Sequence, residues 1–197
     1  TRLTPTPTAT TIPPATLAPT PTTTQTGSSK IVERDIADEI SSDGIVQENI
    51  TLSTPDGLAM LTVYPITRAM SSEDVPLRYI SVAEITETPN PPPNGSIIGL
   101  VYDLLPEGAT FNPPLRLDIR YDAASLPKGL NERDLYIAYY SPELGWVRLQ
   151  SAVNNEAHIV QAEVPHLTKF AIVGISEASG TPVPAVSWGI IGVIIAA

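Results

Sequence analysis

Leu115-Arg116-Leu117-Asp118-Ile119-Arg120-Tyr121 alternates apolar and polar residues without a break. Side chains of a β-strand point to opposite faces with a period of two. The pattern therefore predicts a strand that buries Leu115, Leu117, Ile119 and Tyr121 and shows Arg116, Asp118 and Arg120 to solvent. Working outward, further strands are predicted at 97–104, 135–140, 146–149, 158–164 and 170–173, and earlier in the chain at 45–52, 59–64 and 79–85. Turn chemistry separates these runs: Pro55-Asp56-Gly57, Pro92-Pro93-Asn94-Gly95, Pro106-Glu107-Gly108, Pro127-Lys128-Gly129 and Asn154-Asn155. Short strands about 8–12 residues apart predict an all-β, antiparallel β-sandwich and not a βαβ fold. Helical pattern is nearly absent. Val32, Ile36 and Ile40 are spaced for one short helix or for a segment leading into the first strand, and 131–134 reads as a single turn. Pro113-Pro114 blocks ladder donation and is expected to mark the start of the 115–121 strand.

The chain has 197 residues, with 21 acidic against 11 basic ones and no cysteine. Composition divides it sharply. Residues 1–29 are more than half threonine and proline, with Arg2 as the sole charge, and read as an extended stalk or linker of polyproline-II character. Ser/Thr-rich, Pro-spaced runs are the composition of O-glycosylated stalks, which makes Thr6, Thr8, Thr20 and Thr22 candidate acceptors; an unmodified Pro-rich spacer is the alternative. An acidic lead-in follows at 30–44, then the sandwich at 45–174 and a linker at 175–184. From 185 to 197 the chain is uncharged, and from Trp188 onward it is wholly apolar or glycine. That run is shorter than the roughly 20 residues a span requires. It reads as the start of a transmembrane helix continuing past Ala197, with Trp188 at the interface and Gly189, Ile190, Ile191, Gly192, Val193, Ile194 and Ile195 in lipid. A buried C-terminal strand is the alternative, since Ile and Val also favour strands.

The same composition excludes several chemistries. Phosphate binding needs clustered Lys/Arg, so an acidic chain argues against a nucleic-acid partner. Without cysteine there is no disulfide framework or thiolate site. Two histidines and two methionines argue against haem or copper, and no cofactor is expected. Asp35, Asp38, Glu39, Asp43 and Glu48 concentrate acid, but they lack the Asp-x-Asp-x-Asp-Gly spacing of a calcium loop. They read as a solvated segment, and no metal site is assigned. No triad, phosphate loop or singled-out carboxylate pair is visible, so no catalytic residue is expected. His158 reads as an exposed polar side chain. Asn49-Ile50-Thr51 and Asn94-Gly95-Ser96 are sequons, making Asn49 and Asn94 candidate N-glycosylation sites on an exported chain. Tyr102 and Trp146 are expected at the core or its edge, each with a polar tip able to reach a partner.

The stretch Gly99-Leu100-Val101-Tyr102-Asp103-Leu104-Leu105-Pro106-Glu107-Gly108-Ala109-Thr110-Phe111-Asn112-Pro113-Pro114 runs into 115–121, and Gly145-Trp146-Val147 and Pro165-His166-Leu167-Thr168-Lys169-Phe170 follow. This set resembles the β-sandwich repeats of prokaryotic cell-surface proteins. Those are distantly similar to the interaction domain shared by zonula occludens proteins, netrin receptors and ankyrins. The resemblance covers about 45–174 and implies a spacer or protein-binding module, not an enzyme. Some eukaryotic relatives cut their own backbone at His-Phe-Ser in this final strand. Here Leu167 and Thr168 replace Phe and Ser, so His166 and Thr168 could serve self-cleavage or simply satisfy hydrogen bonds at a strand start.

These readings predict a membrane-anchored module of the cell envelope with its sandwich on the extracellular or periplasmic side. Its expected partners are lipid, through the C-terminal helix, and other envelope proteins. Two alternatives remain open: an accessory single-helix subunit of a larger membrane complex, with Gly189 and Gly192 permitting close helix approach, and a self-cleaving domain.

Overall fold

The computed structural model describes residues 25–26 and 29–175. Thirteen strands follow in order: β1 (Gln25–Thr26), β2 (Ser29–Asp35), β3 (Ile50–Ser53), β4 (Ala59–Val63), β5 (Arg68–Met70), β6 (Tyr79–Ile85), β7 (Gly95–Leu105), β8 (Thr110–Arg120), β9 (Leu135–Ser141), β10 (Gly145–Arg148), β11 (Ser151–Asn154), β12 (Ile159–His166) and β13 (Lys169–Ile175). Among the described residues the helical elements are three short 3₁₀ turns, at Ala37–Glu39, Ala123–Ser125 and Glu132–Asp134. One sheet has the order β1-β2-β6-β7-β13-β9-β10; the other is β11-β12-β8-β4-β3, with β5 added along β8. Every strand pairing is antiparallel. The all-β, sandwich-like fold expected from the alternation is the one observed.

One continuous core joins the inner faces of the two sheets, including Ile80, Val82, Tyr102, Leu104, Ile137, Phe170 and Ile172 from the first and Leu52, Leu61, Leu117, Ile119, Val160 and Val164 from the second. Burying side chains of this size contributes about 1.5–3 kcal/mol each against full exposure. The deciding stretch behaves as expected on its inner face, where Leu115, Leu117 and Ile119 are all buried. Its outer face departs at one residue. Asp118 is buried because it accepts the Arg116 Nε–H on both carboxylate oxygens, at 2.9 and 3.0 Å, and lies between its cross-strand partners Met60 and Gln161.

The strand also starts earlier than the prolines suggested, at Thr110 rather than Leu115. Pro113 and Pro114 sit inside it, where both neighbours lose register. On one side Thr62 pairs with Arg116 and Arg68 with Asn112, so β4 and β5 are two successive partners of one strand with 64–67 looped out between them. On the other side β12 slips between Val164 and His166. Missing amide donors thus divide β8 into two paired halves and do not terminate it.

Two further expectations need correction. The 45–52 strand is confined to Ile50–Ser53, with Ile45 and Val46 making isolated bridges. The segment bearing Val32, Ile36 and Ile40 is no helix. Val32 lies on β2, which pairs with β6 from Ile31 to Asp35, and Ile36 and Ile40 are buried beyond its end. The acidic lead-in is thereby built into the first sheet.

Among the described residues no helix is long and apolar enough to cross a membrane. The Thr/Pro-rich stretch with Thr6, Thr8, Thr20 and Thr22, and the apolar run with Trp188, Gly189, Ile190, Ile191, Gly192, Val193, Ile194 and Ile195, lie outside the described residues.

Candidate functional site

Strand β9 carries apolar residues on both faces. Leu135 and Ile137 enter the inter-sheet core, while Tyr136 and Ala138 turn to the opposite, outer face and cluster there with Val173 and Trp146. The β9–β10 hairpin places Trp146 directly across from Tyr140. Their rings meet edge-to-face with centroids 5.5 Å apart. One pair further along, the Arg148 guanidinium carbon sits 4.3 Å from the Tyr136 ring centroid, a cation–π contact. Burial raises the Tyr136 phenol above its ordinary range, and the Arg148 charge opposes that shift. Together these side chains make an aromatic shelf on the outer face of the seven-stranded sheet.

Something already rests on that shelf. The Trp146 indole Nε1–H donates to the Asn90 carbonyl at 2.9 Å. Asn90 belongs to the 86–94 connection between β6 and β7, which also contains Pro89, Pro91, Pro92 and Pro93. Its far end closes where the Gly95 N–H donates to the Pro92 carbonyl at 2.9 Å. Strands β7, β13 and β9 separate β6 from β10, so the indole contact requires this connection to cross the face of the sheet. Five extended residues from Ile85 to Asn90 reach about 17 Å. Four strand spacings are about 19 Å, and the indole closes the difference. Val101, Ala138, Ala171 and Val173 on this face are fully buried, as residues beneath a crossing strap are.

A second depression lies on the outer face of the other sheet. This open groove of about 910 Å³ is lined by Tyr64, Pro113, Pro114, Arg116, Glu163 and Pro165, among others. It opens where the proline pair loops 64–67 out of the β4–β8 pairing.

The structure brings His166 and Thr168 close in sequence but gives them separate partners. His166 ends β12 and packs edge-to-face on Tyr139, centroids 4.9 Å apart. The Thr168 hydroxyl donates to the Tyr140 carbonyl at 3.3 Å, and no hydrogen bond joins it to His166. Between them Leu167 is buried, its N–H donating to Ala109 and its carbonyl accepting from Gly108, both at 2.9 Å. Burial holds the His166 imidazole below its usual range. The native state therefore favours the neutral ring, and its contribution to stability is present above the unfolded value near 6.5 and lost as pH falls through the lower folded value. Acidification from pH 7 to 5 is expected to lower the melting temperature, and His166→Gln to flatten the part of that slope between pH 5 and 6.5. An unchanged slope in the variant would assign the effect to other groups.

The remaining candidates stand apart. Asn49 is exposed just before β3, and Asn94 is exposed at the end of the proline strap with φ of 59°. In the lead-in, Glu39 pairs with Arg34, and Asp35 accepts the Ala37 N–H at 2.9 Å. Among the described residues no group of three or more His, Asp or Glu side chains could hold a metal ion. His158 is half-exposed in the β11–β12 turn, 3.4 Å from the Glu132 carboxylate. That carboxylate also accepts from the Tyr121 hydroxyl. Neither the aromatic shelf nor its strap was assigned as a site from sequence; the proline run at 91–93 and the reaching tip expected of Trp146 are the only signals that bear on it.

The geometry defines an antiparallel, sandwich-like β domain with an aromatic surface shelf. No family model matches the chain, and no curated protein matches its sequence.

Proposed function

We propose that this protein is a non-enzymatic structural and interaction module of the cell envelope, anchored by its C-terminal apolar run and similar to the prokaryotic surface β-sandwich repeats. The observation that carries this reading is where the tether joins the domain. Strand β13 ends at Ile175, and the proposed anchor segment, 185–197, begins ten residues later. β13 lies inside its sheet, paired with β7 along its whole length and with β9 from Phe170 to Gly174. Tension applied at Ile175 is therefore shared by two ladders at once, which suits a spacer held at one end. The net charge of −10 suits a solvated, extracellular surface. Asn49 and Asn94, both exposed, are the glycosylation sites of this reading.

The test is fractionation of the source cells. The protein is expected to stay in the membrane pellet through an alkaline carbonate wash and to be shaved by protease added to intact cells. Release by carbonate, or protection until the cells are lysed, would overturn the reading. A stoichiometric protein retained in mild detergent would instead support the accessory-subunit version.

A further inference from the structure

We propose that the Trp146–Tyr140 shelf is a docking site for proline-rich extended segments, and that its occupant in trans is the Thr/Pro-rich segment of a second copy of this chain. The inference rests on the shelf geometry and goes beyond the anchoring proposal; it stands if anchoring fails.

Three observations carry it. First, the shelf is occupied here by the chemistry it is proposed to bind. The strap at 89–93 is four prolines around one asparagine, and the Asn90 carbonyl takes the indole N–H. Proline-rich segments lack most amide donors, keep their carbonyls outward and present ridges that fit aromatic surfaces. An indole N–H beside a second aromatic ring matches that pattern, and it does not depend on the sequence between prolines. Second, the same chain carries another such segment. Residues 1–24 hold six prolines and no acidic residue, so they meet an acidic domain without repulsion. Third, the reach is sufficient. At about 3.1 Å per residue, a polyproline II conformation would let a segment of that length reach about 74 Å. A folded region of about 150 residues has a radius of gyration of only about 15 Å. The strap is then an internal competitor that an incoming segment displaces, and the shelf links one module to the next.

The experiment follows the Trp146 indole N–H by NMR in the full-length protein, with Trp188→Phe to leave a single indole. The probe is a synthetic peptide of residues 1–24, and the control is the same peptide with every proline changed to alanine. The proline peptide is expected to shift the indole resonance saturably, and the control to leave it in place. Trp146→Phe keeps the ring but removes the donor. It is expected to weaken binding about five- to tenfold, the size of one net hydrogen bond, as read from the Tyr140 amide. No shift at millimolar peptide, or equal shifts with the alanine control, would overturn the proposal. Shifts by the proline peptide confined to the Tyr64–Pro165 groove would do the same, by placing the site on the other sheet.

Discussion

Phe170→Ala is expected to lower the unfolding free energy by about 3–5 kcal/mol. Phe170 is fully buried, and it sits where the two sheets are tied together. It is the second residue of β13, two positions beyond the Leu167-Thr168 connection that carries the chain from one sheet to the other. Its cross-strand partners are Tyr102 on β7 and Tyr139 on β9, so truncation opens a cavity bordered by both. Interiors are close-packed, and a strand fixed by ladders on each side cannot move in to fill the space. The melting temperature is expected to fall by roughly 6–20 °C for a chain this size. In denaturant the midpoint should move while the m-value stays constant. A loss below about 1 kcal/mol would mean that β13 is less firmly seated than its pairing indicates.

Gly44→Ala ranks second and is best measured beside Gly57→Ala. Both glycines have positive φ, 81° and 71°, where a side chain costs about 1–2 kcal/mol. Their surroundings differ. A Cβ on Gly57 would meet nothing within 4 Å, whereas one on Gly44 would lie 2.3 Å from the Met70 Sδ and 3.3 Å from the Ala69 carbonyl oxygen. The thioether can swing aside, but Met70 is itself buried and the Ala69 carbonyl is held by the Leu77 N–H at 3.2 Å. Overpacking adds about 1–3 kcal/mol. Gly44→Ala is therefore expected to cost about 2–5 kcal/mol and Gly57→Ala about 1–2 kcal/mol, read from chemical denaturation of the pair. Equal losses would show that Met70 yields freely and that backbone strain alone governs both sites.

Sequence reading succeeded where one face was buried and the other was not. The inner residues of β8, and the presence of β4, β6, β7, β9, β10, β12 and β13, followed from alternation and turn residues. It failed where a pattern served two periods equally. Val32, Ile36 and Ile40 are four apart, and four is close to one helical turn and also an even number, so the spacing fits a helix and one side of an extended chain alike. β5 has three residues, too few for a period to show, and β11, Ser151–Asn154, holds a single large apolar residue, Val153. Taken locally, Pro113-Pro114 is a strand-start signal. Its actual effect, a strand with different partners on either side, depends on β4 and β5, which lie 40 or more residues earlier. The shelf is hidden for the same reason: the Trp146 partner is 56 residues away, and only the assembled sheet brings the strap to it.

Chain order gives β13 one more role. Until it is made, β7 and β9 have no common neighbour, and the seven-stranded sheet exists only as two fragments. β12 likewise is what joins β11 to β8 in the other sheet. At 5–20 residues per second, the 21 residues after Asn154 take about 1–4 s to synthesise. Through that interval both half-built sheets present open, apolar strand edges to everything around them. The nascent chain is thus most dependent on a holding chaperone just before its last strands arrive. A stop codon anywhere in β12 or β13 yields not a shortened domain but a sticky, unfinished one.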